Sequence, residues 1–139
     1  MQVERCSCQH LASNSQQLYN RAVAFRYRKF KVYQDSLLFH HSAVAMTGKF
    51  PKDFLHLQSQ LKRAALSVVL NIAEGSAKNS DKDFNRYIGN SLGSVDEAIA
   101  CSEVALMEHL ISELQFNDFG KLGLEISNQL GGLSKKLKS

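Results

Sequence analysis

Apolar residues recur along most of this chain at alternating steps of three and four, the spacing that puts side chains on one face of a helix. The clearest instance runs from Gln60 to Gly75, QLKRAALSVVLNIAEG, with Leu57, Leu61, Ala64, Ala65, Val68 and Ile72 in register. The pattern predicts a helix from about Asp53 to Glu74. Gly75 follows as a residue able to enter the left-handed conformation and end it.

Three further helices are predicted. One spans about Phe30 to Thr47, with Phe30, Tyr33, Leu37, His40 or His41, and Val44 as its inward stripe and Gly48 as its stop. Phe50-Pro51 then requires an extended turn, because the residue before proline is pushed out of the helical region. Another begins at Ser80 as N-cap, with Asp81 and Asp83 where carboxylates meet free amides. Its seam (Phe84, Ile88, Ser91, Val95, Ala98, Ser102, Ala105, Leu110) predicts a long helix ending near Leu110 to Glu113. Gly89 and Gly93 thin its surface, which predicts close approach of another helix. The last helix starts after Asn117 and carries Phe119, Leu122, Ile126, Leu130, Leu133 and Leu137, with Gly131-Gly132 weakening its end. The expected fold is all-α: an antiparallel up-down four-helix bundle over residues 30–139 behind a basic N-terminal extension, residues 1–29. Leu61, Val68, Ile72, Ile88, Val95 and Leu106 are expected to be buried.

A chain of 139 residues holds one domain of ordinary size. Its longest uncharged apolar run, Ala64 to Ala73, falls well short of the roughly 20 residues a membrane-spanning helix needs. Net charge of +4 is unevenly placed. Met1 to Lys31 holds six basic residues against Glu4, whereas Tyr87 to Gly120 holds six acidic residues and no basic one. The bundle is therefore expected to be electrostatically two-faced, preceded by a basic stretch that is either a mobile arm or upstream sequence included by an early start codon. Leu18, Ala22 and Phe25 fit a short helix within that arm.

Candidate chemistry is sparse. Cys6, Cys8 and Cys101 make an odd count, the mark of reduced thiols in a cytosol, and Cys6-x-Cys8-x-His10 lacks the spacing and fourth ligand of a zinc site. Adjacent His40 and His41 diverge by about 100° on a helix and cannot share one metal. The acids of the third helix lack the Glu-x-x-His pairs of di-iron bundles. No metal, cofactor or catalytic residue is expected. Asn71 and Glu74 share a helix face near a C-terminus, where a carboxylate is unfavourable and calls for a partner on a neighbouring helix or subunit. Lys62, Arg63, Lys78, Lys82 and Arg86 are the candidate phosphate-binding cations, with Phe84 and Tyr87 among them.

The run LKRAALSVVLNIAEG, the Lys49-Phe50-Pro51 turn before it and GNSLGSVDEA from Gly89 to Ala98 resemble a family of small four-helix-bundle proteins. That family was first described from reading frames inside intervening sequences of bacterial large-subunit ribosomal RNA genes, and it also holds the accessory variability determinants of diversity-generating retroelements. The resemblance extends from FKVYQDS at Phe30 to about Leu110, with Tyr33-Gln34 matching the family's aromatic-Gln opening and Lys62-Arg63 its double Arg. Glu74 and Gly75 match its acidic residue and glycine, and Lys78 stands where it carries a basic residue. The expected protein is a cytoplasmic, non-catalytic, oligomeric bundle that binds RNA or DNA or serves a nucleic-acid enzyme; the resemblance implies a ring of five identical subunits with a basic surface and, in the retroelement relatives, association with a reverse transcriptase. The alternative is a protein-binding scaffold without nucleic-acid affinity. Gly75, Gly89 and Gly93, with Asn71 and Glu74, are the candidate structural or interface positions.

Overall fold

The computed structural model describes residues 25–139, in which four helices and two short 3-10 turns account for the regular structure, with no strand among the described residues. A turn at Arg26–Lys29 leads into α1 (Lys31–Thr47); a second at Lys52–Phe54 leads into α2 (Leu55–Ser76), followed by α3 (Asp81–Met107) and α4 (Glu113–Lys138). Each helix packs on the next, and α4 closes back on α1. The candidate Cys6, Cys8, His10 group and the Leu18 and Ala22 positions lie outside the described residues.

The inward face of α1 is one step from the expected one. Val32, Ser36, Phe39, Ala43 and Thr47 are buried, while Leu37 and Val44 are exposed. Phe30 and Tyr33 only flank the core. Two apolar stripes compete in this helix, and the one holding Phe39 wins because its ring stacks on Phe119 of α4, centroids 4.3 Å apart and 9° from parallel. Serines fit the inner stripe because their hydroxyls return to local carbonyls: Ser36 Oγ donates to Tyr33 O at 2.6 Å. Every fully buried side-chain polar atom among the described residues has a partner.

The contact between α2 and α3 is the most extensive. Leu61, Ala65, Val68 and Ile72 meet Phe84, Ile88, Ser91, Val95 and Ala98 in the main core, all buried as expected. The Ser91 hydroxyl donates to Val68 O at 2.7 Å, and Ser67 and Ser94 share a hydrogen bond of 2.8 Å. As numbers rise in α3 they fall in α2, so these two helices run in opposite directions. Leu106, expected to be buried, is only partly covered, in a smaller cluster around Phe50, Leu57, Ala105 and Ile111.

Helix ends depart from expectation at three places. Gly75 does not stop α2: the helix continues through Ser76, and no described glycine has positive φ. Its role is steric, as described below. The left-handed stop belongs to α3, at His109 (φ 59°). There His109 N donates to Leu106 O at 3.0 Å and Leu110 N to Ala105 O at 2.9 Å, the bond pair of a Schellman ending. This ends α3 at Met107, short of the expected Leu110 to Glu113. α4 begins at Glu113, before the expected Asn117, because Ser112 and Gln115 form a reciprocal capping box. Ser80 caps α3 as expected, accepting from Asp83 N at 3.1 Å.

Candidate nucleic-acid interface

Helix α3 begins beside the end of α2, and the four-residue loop between them brings Lys78 and Arg86 to one ring, with Lys82 in the first turn of α3. The Tyr87 centroid lies 5.0 Å from Lys78 Nζ and 4.9 Å from Arg86 Cζ. Both distances are within cation-π reach. The Tyr87 hydroxyl donates to Glu74 Oε1 at 3.3 Å, which gives Glu74 the partner on a neighbouring helix that its position demands. Asn71 does not join it. Its Nδ2 donates back to Ser67 O at 2.8 Å and Ser67 Oγ at 3.0 Å, extending the polar link to Ser94.

Gly75 is what lets Tyr87 come so near: a Cβ there would stand 2.6 Å from Tyr87 Cβ and 2.9 Å from Phe84 Cδ2. Small residues do mark close helix approach, but within this chain at Gly75 and Gly123 rather than at Gly89 or Gly93, which meet nothing within 4 Å. Both of the latter lie exposed on the outer face of α3.

The same end of the bundle collects cations that the sequence pattern assigned to a separate arm. Arg26 sits over Phe84 (5.4 Å) and Phe30 (5.9 Å), and those two rings stack at 6.1 Å. Arg28 lies 5.1 Å from the exposed Phe25 ring, and Tyr27 packs on Tyr33 at 4.7 Å. From the other side, Ser134 Oγ donates to Asn85 Oδ1 at 2.5 Å, which seats the end of α4, with Lys135, Lys136 and Lys138, beside the start of α3. The signal missed in the sequence is the alternation FRYRKFKVY from Phe25 to Tyr33, whose aromatic residues anchor its basic ones on the bundle.

Ten cations (Arg26, Arg28, Lys29, Lys31, Lys78, Lys82, Arg86, Lys135, Lys136, Lys138) therefore lie toward this end with the carboxylates Asp35, Glu74, Asp81 and Asp83, and Glu125 of α4 also acts on Lys31. Two cations are engaged locally. Lys31 pairs with Asp35 at 2.7 Å, and Arg86 approaches Asp83 at 3.9 Å. Burial pushes the Asp35 carboxyl up, but hydrogen bonds from Lys31 and from Gln129 (2.7 Å) outweigh it and hold the group below its ordinary value. Lys62 and Arg63 are not part of this end. Arg63 lies 13 residues before the end of α2, about 20 Å away along the helix. Its neighbour Lys62 acts instead on His40, which burial, then His41 and Lys62, hold below the usual imidazole value. The five candidate cations thus fall into two groups.

No group of three or more metal-ligating side chains occurs among the described residues, and no described helix is long and apolar enough to cross a membrane. The sequence profile of the family described as 23S rRNA-intervening sequence protein matches residues 28–132. The chain belongs to this family. The match covers all of α1 to α3 and most of α4, so the basic end, from Arg28 through Arg86, lies largely inside it. No curated relative matches the sequence.

Proposed function

We propose that this member of the 23S rRNA-intervening sequence protein family is a non-catalytic, cytoplasmic up-and-down bundle that binds the phosphate backbone of nucleic acid through the basic end. The reading rests on one observation: Arg26, Lys78 and Arg86 converge on aromatic rings at one end of the bundle. Cations held over rings lose little further freedom on meeting a phosphate, and exposed aromatic rings such as Phe25 offer stacking surface to unpaired bases. Such a surface favours an unpaired strand over a duplex and carries little sequence preference.

One subunit presents few contacts, and affinity grows with the number of phosphates neutralised. The reading therefore includes a homo-oligomer, a ring of five by resemblance, in which Gly89 and Gly93 face outward for contact between subunits. Service to a nucleic-acid enzyme such as a reverse transcriptase follows from the same resemblance.

The test is fluorescence anisotropy of labelled, unstructured RNA with the full chain at low salt, with duplex DNA of equal length as competitor. Binding to RNA that duplex displaces poorly is expected. Absence of binding at low salt removes the nucleic-acid reading and leaves the protein-binding scaffold.

A further inference from the structure

Helices α3 and α4 leave a shallow groove of about 280 Å³ between them. Each wall is one face of a helix. Asp96, Ala100 and Glu103 come from α3, and Gly120, Leu124 and Ser127 from α4, so both walls repeat at steps of four and then three over two turns. The floor is low because Gly123 is buried against Ile99, where a Cβ would stand 3.0 Å from Ile99 Cδ1. A Cβ on Gly120, by contrast, would meet nothing within 4 Å. Leu124 stays 63% exposed beside this open space.

The charge along the groove has one sign. Asp96 and Glu103 are exposed at its lip, and neither side chain makes a hydrogen bond or ion pair with a described residue. They stand seven residues apart, about 10 Å along α3. The stretch around them, Tyr87 to Gly120, holds six acidic residues and no basic one. Asp96 lies ten residues beyond Arg86, about 15 Å along the same helix, so the groove is separate from the basic end.

We propose that this groove docks a basic amphipathic helix of a partner protein, two Lys or Arg residues seven apart pairing with Asp96 and Glu103 and the apolar side chain between them filling the space over Gly120. Charge selects the sign of the guest. Spacing selects its form: a helix laid along α3 has the same rise per residue, so cations seven apart on it meet carboxylates seven apart on the lip. The glycine floor admits the close approach that an apolar helix face needs. None of the four helices of this chain carries two cations seven residues apart, so a second copy does not supply the guest. The inference goes beyond phosphate binding and does not depend on it.

Fluorescence anisotropy tests it on the full chain without nucleic acid, using a labelled synthetic helical peptide with two arginines seven residues apart and leucine between them. Circular dichroism verifies that each variant is folded. Binding should fall with salt and be at least about tenfold weaker for D96K/E103K. Gly120→Leu, which adds a side chain where a Cβ meets nothing of the bundle, should weaken it similarly. E108K/D118K, the same charge change elsewhere in the acidic stretch, should bind as the unmodified chain does. A peptide that does not bind, that binds Gly120→Leu undiminished, or that loses as much affinity to E108K/D118K as to D96K/E103K overturns the docking site. So does a smaller sedimenting size of D96K/E103K without peptide, which would make the groove a contact between copies. With no nucleic acid present, none of these results bears on the phosphate-binding reading.

Discussion

Gly75 of α2 lies against Tyr87 of α3 so closely that a methyl group at Gly75 would stand 2.6 Å from the Tyr87 Cβ. The atom it meets is the root of the side chain, which cannot swing aside without moving α3. Gly75→Ala is therefore expected to destabilise the fold by about 1–3 kcal/mol through overpacking. Gly131→Ala, at a helical site with open space around it, should stabilise by about 0.5–1 kcal/mol. Urea denaturation of the two variants checks the opposed signs.

At the other end of α3, His109 occupies the left-handed region at φ 59°. A side chain there costs roughly 1–2 kcal/mol that glycine avoids. His109→Gly is expected to raise the denaturation midpoint, with a gain of up to about 1 kcal/mol. A lower midpoint would show that the His109 side chain contributes more than its backbone costs.

Neighbouring positions of α1 differ in what they hold. Phe39 is fully buried and stacked on Phe119, so Phe39→Ala should cost about 3–5 kcal/mol. Leu38 is 57% exposed, and Leu38→Ala should cost less than about 1 kcal/mol. Chemical denaturation of both variants measures the contrast.

Asp35 gives the acid side of the stability profile a definite sign. Its carboxyl is held below the ordinary value of 3.8 by hydrogen bonds from Lys31 and Gln129. The folded state thus releases this proton more readily than the unfolded state does. Stability from Asp35 is fully present above pH 3.8 and is lost as pH falls through the lowered folded value. Asp35→Asn should flatten this part of the curve, read as midpoint against pH from about 5 downward.

Helix number, the long α3 seam and the Ser80 cap were legible because each rests on local spacing. The inward face of α1 was not. Its two stripes are nearly equal in apolar content, and only the stacking of Phe39 on Phe119, distant in sequence, selects between them. Gly75 was legible as special but for the wrong cause, since a close neighbour leaves the same residue as a left-handed turn does. Of the candidate cations, Lys78, Lys82 and Arg86 were foreseeable as neighbours across a short loop. Arg26 and the Lys135-Lys136 pair reach them only through tertiary contacts, while Lys62 and Arg63 are separated by the length of a helix.

The central claim, that the basic end neutralises phosphates, is tested most directly by the salt dependence of RNA binding. Each phosphate on a single strand contributes about 0.7 to the slope of log affinity against log salt. Replacing Lys78, Lys82 and Arg86 by Glu in the full chain should weaken binding and reduce that slope by about 2. The same charge change at the opposite end, Lys49, Lys52 and Lys121 to Glu, should leave the slope unchanged. A slope unaffected by the first set, or reduced equally by both, would contradict the account.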